Sequence, residues 1–131
     1  MSKYAIICGD APDGFGMKKV EEMYTFLESK EGGSLSRSNI IGFPNGTSEF
    51  LLEATIDRCI TDETKSILLY FCTKEPVSDS AKTFFLNGEE IRKDIIAHYQ
   101  NLSKEAGFDL QIVFDVDRDI VSEDDLGYEK V

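Results

Sequence analysis

The chain has 131 residues, of which 41% are hydrophobic and 30% are charged, and its formal net charge is −11. This length suits one domain with a real core, and the composition argues against disorder outside the two ends. So acidic a chain repels phosphate backbones and anionic lipid surfaces, which excludes nucleic acid and membrane as expected partners. We predict a single domain over 1–131, with an acidic C-terminal tail over about 118–131.

The three cysteines, Cys8, Cys59 and Cys72, have neither metal-ligand nor Cys-x-x-Cys spacing. The N-terminus leads directly into a short apolar strand rather than a secretory signal, so we expect a reducing, cytoplasmic location. No apolar stretch approaches the length that crosses a bilayer. Cys8 and Cys72 end what should be neighbouring strands, and a reactive thiol at either position stays open as an alternative to a core thiol.

The first half of the chain alternates strand and helix. Tyr4–Cys8 is a continuous apolar run of strand length. Apolar residues at helical spacing from Met17 onward predict a helix, which we expect Gly32-Gly33 to end because glycine tolerates a left-handed conformation. Asn39–Phe43 is a second short strand.

The middle of the chain carries its strongest strand signal. Thr47 or Ser48 can cap a second helix, and Glu49 is well placed for the helix dipole. Ile67–Cys72 is apolar throughout, which is typical of a strand covered on both faces of a parallel sheet. We therefore predict that this strand is central.

The second half repeats the pattern. Thr83–Leu86 reads as an extended piece that ends in the turn Asn87-Gly88. Glu89 and Glu90 are predicted to begin a third helix, since negative charge is favoured there, and Gly107 is predicted to close it. This helix would include Ile91 on its apolar side.

A final strand, Leu110–Phe114, runs directly into acidic residues at Asp115, Asp117 and Asp119. Strand–helix units in this order imply right-handed crossovers. We therefore predict a three-layer α/β/α sandwich with a mostly parallel sheet of about four core strands.

Several segments together resemble the large-subunit half of a caspase-like, metacaspase-type peptidase domain. They are the order of the elements, Asn45-Gly46-Thr47 before the second helix, the strand Ile67–Cys72, the segment Phe85–Ile91 and the strand that ends at Asp115. In that family the third strand runs into a Ser-Gly-His-Gly segment with the catalytic histidine, and the fourth runs into Asp-Ala-Cys with the nucleophile. Lys74 and Asp117 stand at these two positions here.

The resemblance implies a domain without the usual chemistry, because a cysteine peptidase needs a thiolate and an imidazole, and Lys74 and Asp117 provide neither. We expect a catalytically inactive module without cofactor, acting through an unknown protein partner or as a homodimer. We also expect Lys74 and Asp117 to form an ion pair. The small-subunit half of the family has no counterpart, so the last strand should form a sheet edge that needs to be covered, charged or paired.

Two alternatives remain open. Asp115, Asp117 and Asp119 fit the first ligand spacings of a calcium loop, but Ile120 and Leu126 occupy the glycine and glutamate positions. An Asp-x-Asp after a strand also resembles the opening motif of haloacid-dehalogenase-type phosphatases, which makes a divalent-metal-dependent hydrolase the second function class. A third possibility is another flavodoxin-like domain with accidental local similarities. His98, the only histidine, is expected at the surface.

Overall fold

A computed structural model of the chain describes residues 2–9 and 15–116, which form six strands and three helices. The strands are Ser2–Cys8 (β1), Ile40–Phe43 (β2), Thr64–Thr73 (β3), Thr83–Leu86 (β4), Glu89–Arg92 (β5) and Asp109–Val116 (β6), and the helices are Phe15–Glu28 (α1), Glu49–Cys59 (α2) and Lys93–Ala106 (α3). Within these ranges, no helix has the length and apolarity that crossing a membrane requires.

Four strands form a parallel sheet in the order β2-β1-β3-β6, and β4 and β5 form a separate antiparallel hairpin. Helix α1 packs on one face of the sheet, through Val20 and Leu27, while α2 and α3 pack on the other. The chain therefore has the predicted three-layer α/β/α fold with a mostly parallel sheet. The strand order reverses between β1 and β3, which places a topological switch point there.

Strand β3 contributes to both cores, as the continuous apolar run predicts. Its residues Ile67, Leu69 and Phe71 are buried against the α2 and α3 side, and Tyr70 and Cys72 are buried against the α1 side. Each large side chain buried in this way stabilises the fold by about 1.5–3 kcal/mol. The central position of β3 is confirmed by its pairing with β1 and β6.

Helix α2 begins as predicted, because the side-chain oxygen of Ser48 accepts a hydrogen bond from the Leu51 amide at 3.2 Å. Glu49 has a further role that local sequence does not reveal. Its carboxylate accepts hydrogen bonds from the backbone amide of Arg92 at 2.6 Å and from the Arg92 Nε at 3.1 Å. The Arg92 backbone amide and guanidinium lower the pKa of Glu49, and this pair joins α2 to the end of the hairpin.

The prediction that Glu89 and Glu90 begin the third helix is wrong. Both residues lie in β5 together with Ile91, and α3 begins at Lys93. Asn87 and Gly88 have φ angles of 52° and 83°, the conformation of a two-residue hairpin turn. That turn pairs Leu86 with Glu89 and Phe84 with Ile91, and it buries Ile91 completely.

The end of the first helix also differs from the prediction. Helix α1 ends at Glu28, and Gly32 follows in a turn in which its amide donates to the Ser29 carbonyl at 3.2 Å. A Cβ atom at Gly32 would lie 1.9 Å from the Phe26 carbonyl oxygen, so this glycine is required by close packing, whereas Gly33 has the positive φ that the prediction expected, 109°. The predicted closing position of α3 is confirmed, since Gly107 has a φ of 84° and caps the helix.

Candidate functional site

The carboxyl ends of β1, β2, β3 and β6 lie together at one end of the sheet, because the four strands are parallel. Open α/β sheets bind ligands at this end of their strands. Lys74 follows β3 directly and is exposed at this end of the sheet. Asp117 and Asp119 lie outside the described residues, as does the predicted tail over about 118–131. The ion pair between Lys74 and Asp117 therefore stays a prediction.

Asp115 is anchored by two groups from other elements. The hydroxyl of Tyr70 donates a hydrogen bond to its Oδ2 atom, and the Nζ atom of Lys19 on α1 lies 3.6 Å from the same oxygen. The Tyr70 hydrogen bond, followed by the positive charge of Lys19, lowers the pKa of Asp115 below its usual value. The carboxylate is thus held ionised and joins β3, β6 and α1.

Tyr70 and Lys19 were not predicted as partners of Asp115. The strand register explains the tyrosine, because Cys72 pairs with Asp115 and Tyr70 precedes Cys72 by two residues on the same face. Aligning the β3 and β6 segments side by side would have found this contact. The lysine depends on the path of α1 over the sheet, for which the sequence has no comparable signal.

The metal interpretation has limited support in the described part of the chain. Residues 2–9 and 15–116 contain no group of three histidine, cysteine, aspartate or glutamate side chains that could hold a metal ion. Asp115 is the one candidate ligand that lies within these ranges, and its Oδ2 atom accepts from Tyr70. With Asp117 and Asp119 undescribed, the three-aspartate site remains a prediction.

Neither the two strand-end cysteines nor the histidine lies in a reactive setting. Cys8 and Cys72 are fully buried on opposite faces of the sheet, and no disulfide involves either one. Burial raises the pKa of the Cys8 thiol to about 12, so the nucleophilic thiolate is strongly disfavoured there. His98 is exposed on α3 with its ring against that of Tyr99, as its sequence context predicts.

Strand β6 is one of the two edges of the parallel sheet. It pairs with β3 along its whole length, and no other strand in the described ranges pairs with its second side. Its eight residues are all exposed or half-buried, unlike those of β3. Clefts flank it on both faces. The one beside Ile112 and Ile96 has a volume of about 390 Å³ and a mostly apolar lining, and the one beside Val113 and Leu68 has a volume of about 510 Å³ and also contains charged residues such as Lys65.

Phe114 is the most prominent apolar side chain on β6. Its ring stacks on Phe71 with a centroid distance of 5.4 Å and meets the edge of Phe84 at 5.0 Å, yet 36% of the residue stays exposed. The Nζ atom of Lys93 lies 5.8 Å from the ring centroid. The aromatic cluster of Phe71, Phe84 and Phe114 therefore connects the core to the open edge.

A third concave surface lies between the loop that follows β3 and the hairpin, and we name it the hairpin cavity. Its volume is about 580 Å³. It is lined by Thr73, Lys74, Glu75, Pro76, Val77, Ser78, Ala81, Thr83, Phe84, Phe85, Asn87 and Gly88. The lining thus includes Lys74 and Phe84, which belongs to the aromatic cluster.

Comparison of the chain with protein-family profiles, with curated proteins and with solved structures gave no match in any of the three. The assignment of function therefore rests on the geometry of this chain.

Proposed function

We propose that the chain is a catalytically inactive caspase-like domain that acts as a protein-interaction or regulatory module, and that it binds its partner through β6. The observation that carries this proposal is the open edge of β6, with a cleft containing apolar side chains on each face and a partly exposed Phe114. An open edge strand offers a row of backbone donors and acceptors to an added strand. Alternate side chains of that strand would fill the two clefts.

Three features support the caspase-like part of the proposal. The four core strands and three helices follow one another in the expected order and form a parallel sheet. Lys74 stands just after β3, where the resemblance places a catalytic histidine. Cys8 at the end of β1 and Cys72 near the end of β3 are buried, so neither thiol offers a substitute nucleophile.

The second edge of the sheet is a poorer binding surface than β6. Strand β2 has four residues and is followed at once by Pro44, whereas β6 has eight residues. Short edge strands and prolines are devices that prevent unwanted strand pairing. A protein segment that adds to the sheet should therefore select β6.

The direct test is affinity capture from the native organism with the tagged chain, compared with two glutamate variants. Phe114→Glu places a charge on the β6 surface, and the matched control Phe50→Glu changes a phenylalanine that is 82% exposed on α2. We expect a partner that binds the parent chain and the control and is lost from Phe114→Glu. Gln111→Lys, at an exposed position of β6, should weaken the same complex and guards against misfolding of the first variant.

A homodimer is tested by sedimentation of the pure protein, where Phe114→Glu should convert dimer to monomer. A parent chain that stays monomeric and captures nothing would contradict the proposal, as would a complex that Phe114→Glu leaves intact.

Titration with Mg²⁺ or Ca²⁺ tests the alternative function, a divalent-metal-dependent hydrolase. If the chain is an inactive module, neither ion should raise its melting temperature. Stabilisation by an ion that Asp117→Asn abolishes would favour a metal-dependent hydrolase.

A further inference from the structure

The hairpin cavity has the position and the size of a ligand site. It lies beyond the carboxyl end of β3, between the loop that follows this strand and the β4–β5 hairpin. Open α/β sheets bind ligands outside the carboxyl ends of their strands. Its volume of about 580 Å³ falls within the range of roughly 300–1,000 Å³ that small-molecule pockets occupy.

Hydrogen bonds from outside the cavity fix both of its walls. Lys93 holds the loop wall, because its backbone amide donates to the Lys82 carbonyl at 2.9 Å and its Nζ atom donates to the Ser78 carbonyl at 2.7 Å. The hairpin wall is held by Asn87, whose side-chain amide donates to the Asn45 carbonyl at 3.0 Å. A ligand would enter a preorganised space and would lose little affinity to the ordering of the walls.

Phe85 supplies an apolar surface that the core does not use. Phe84 and Leu86 on either side of it are buried, but Phe85 points the other way along the strand and is 54% exposed at the cavity. Val77 and Ala81 in the opposite wall are also apolar. A flat ring placed between these walls would cover exposed aromatic surface, and such contacts favour offset or edge-on ring packing.

The charges of the lining favour a ligand without net charge. Lys74 and Glu75 are the charged residues among the described lining residues, and their charges cancel, although the chain as a whole carries −11. Hydroxyl groups of Ser78 and Thr83 lie in the same lining and can exchange hydrogen bonds with a polar atom of the ligand. We propose that the hairpin cavity binds a small uncharged molecule that combines an apolar ring with a hydrogen-bonding group.

Indole is a suitable probe, since it is uncharged, planar and carries one hydrogen-bond donor. We expect its titration into the ¹⁵N-labelled chain to shift backbone amides of residues 73–88 saturably, and to give nuclear Overhauser contacts with the Phe85 ring. Phe85→Ser should weaken binding about tenfold, which corresponds to roughly 1.4 kcal/mol of lost ring contact. Ala81→Trp should abolish binding by filling the cavity.

The control is Phe50→Ser, which makes the same substitution at an exposed phenylalanine of α2 outside the cavity lining and should leave the affinity unchanged. Saturable shifts that map elsewhere, or an affinity that neither cavity variant changes, would overturn the proposal. Because the contacts with Phe85 are measured on the parent chain, their absence would also overturn it even where a variant misfolds. The outcome is independent of partner binding at β6.

Discussion

Removing the Tyr70 hydroxyl should release Asp115 and cost stability in a pH-dependent way. A hydrogen bond to a charged group contributes about 1.5–3 kcal/mol when it is buried, but the Asp115 side chain is 43% exposed and water competes for it. We therefore expect Tyr70→Phe to lower the free energy of unfolding by about 1 kcal/mol at pH 7. For a chain of this size the melting temperature should fall by about 3–5 °C.

The sign of the pH dependence follows from the lowered pKa of Asp115. A carboxylate with a lowered pKa in the folded state stabilises the fold above its unfolded pKa of about 3.9, and this stabilisation is lost as the pH falls through the folded value. In Tyr70→Phe the pKa of Asp115 should rise toward its usual range. The stability difference between the two proteins should hence be largest near neutral pH and should shrink in acid.

The assay combines urea denaturation between pH 7 and pH 3 with NMR titration of the Asp115 carboxyl group. Tyr4→Phe is the matched control, because it removes a hydroxyl from a side chain packed on the opposite face of the sheet. We expect the control to leave the Asp115 titration unchanged. A pKa of Asp115 that is the same with and without the Tyr70 hydroxyl would refute this account of the anchor.

Three further predictions concern stability and thiol chemistry. Gly46→Ala should destabilise the chain by about 2 kcal/mol, because φ is +80° and the new Cβ would lie 2.8 Å from the Leu86 carbonyl oxygen; Gly88→Ala, with φ of +83° but open space, should cost about 1 kcal/mol in the same denaturation assay. Ser48→Ala should cost about 1 kcal/mol through loss of the α2 cap, and an unchanged melting curve would contradict that role. The Cys8 thiol should resist iodoacetamide at pH 8 in the native state and react after unfolding, whereas rapid labelling of native protein would disprove its burial.

The central strands of the sheet could be predicted because each is a continuous apolar segment of the sequence. Tyr4–Cys8 and Ile67–Cys72 have buried residues on both faces of the strand, so neither segment shows the alternation of polar and apolar residues that a half-exposed strand would have. The cap at Ser48 and the closing Gly107 are local signals, and both were predicted correctly. Helix packing on two faces followed from the order of the elements.

Two predictions differ from the structure, one through strand pairing and one through close packing. Glu89 and Glu90 are as compatible with the start of a helix as with a strand. They form a strand because the Asn87-Gly88 turn pairs them with β4. Strands of four residues are too short for periodicity to separate the two cases. Gly32 is set by its close approach to the Phe26 carbonyl oxygen, a contact that no spacing rule contains.

The candidate site was less predictable than the fold. Asp115 was identified as part of an acidic strand end, but its contacts with Tyr70 and Lys19 depend on the strand register and on the position of α1. The hairpin cavity depends on the hairpin, and the second strand of that hairpin was predicted to be the start of a helix. Side-chain constellations thus need the three-dimensional pairing that apolar patterns alone do not provide.

Amide hydrogen exchange of the complex with its captured partner, or of the homodimer, tests the central claim most directly. Binding through β6 predicts that amides in Asp109–Val116 gain protection, while the opposite edge strand, Ile40–Phe43, exchanges as it does in the free chain. The two edges of one sheet serve as measurement and control in the same sample. Protection confined to β2 or to the helices, with β6 unchanged, would contradict the proposal that this edge is the binding surface.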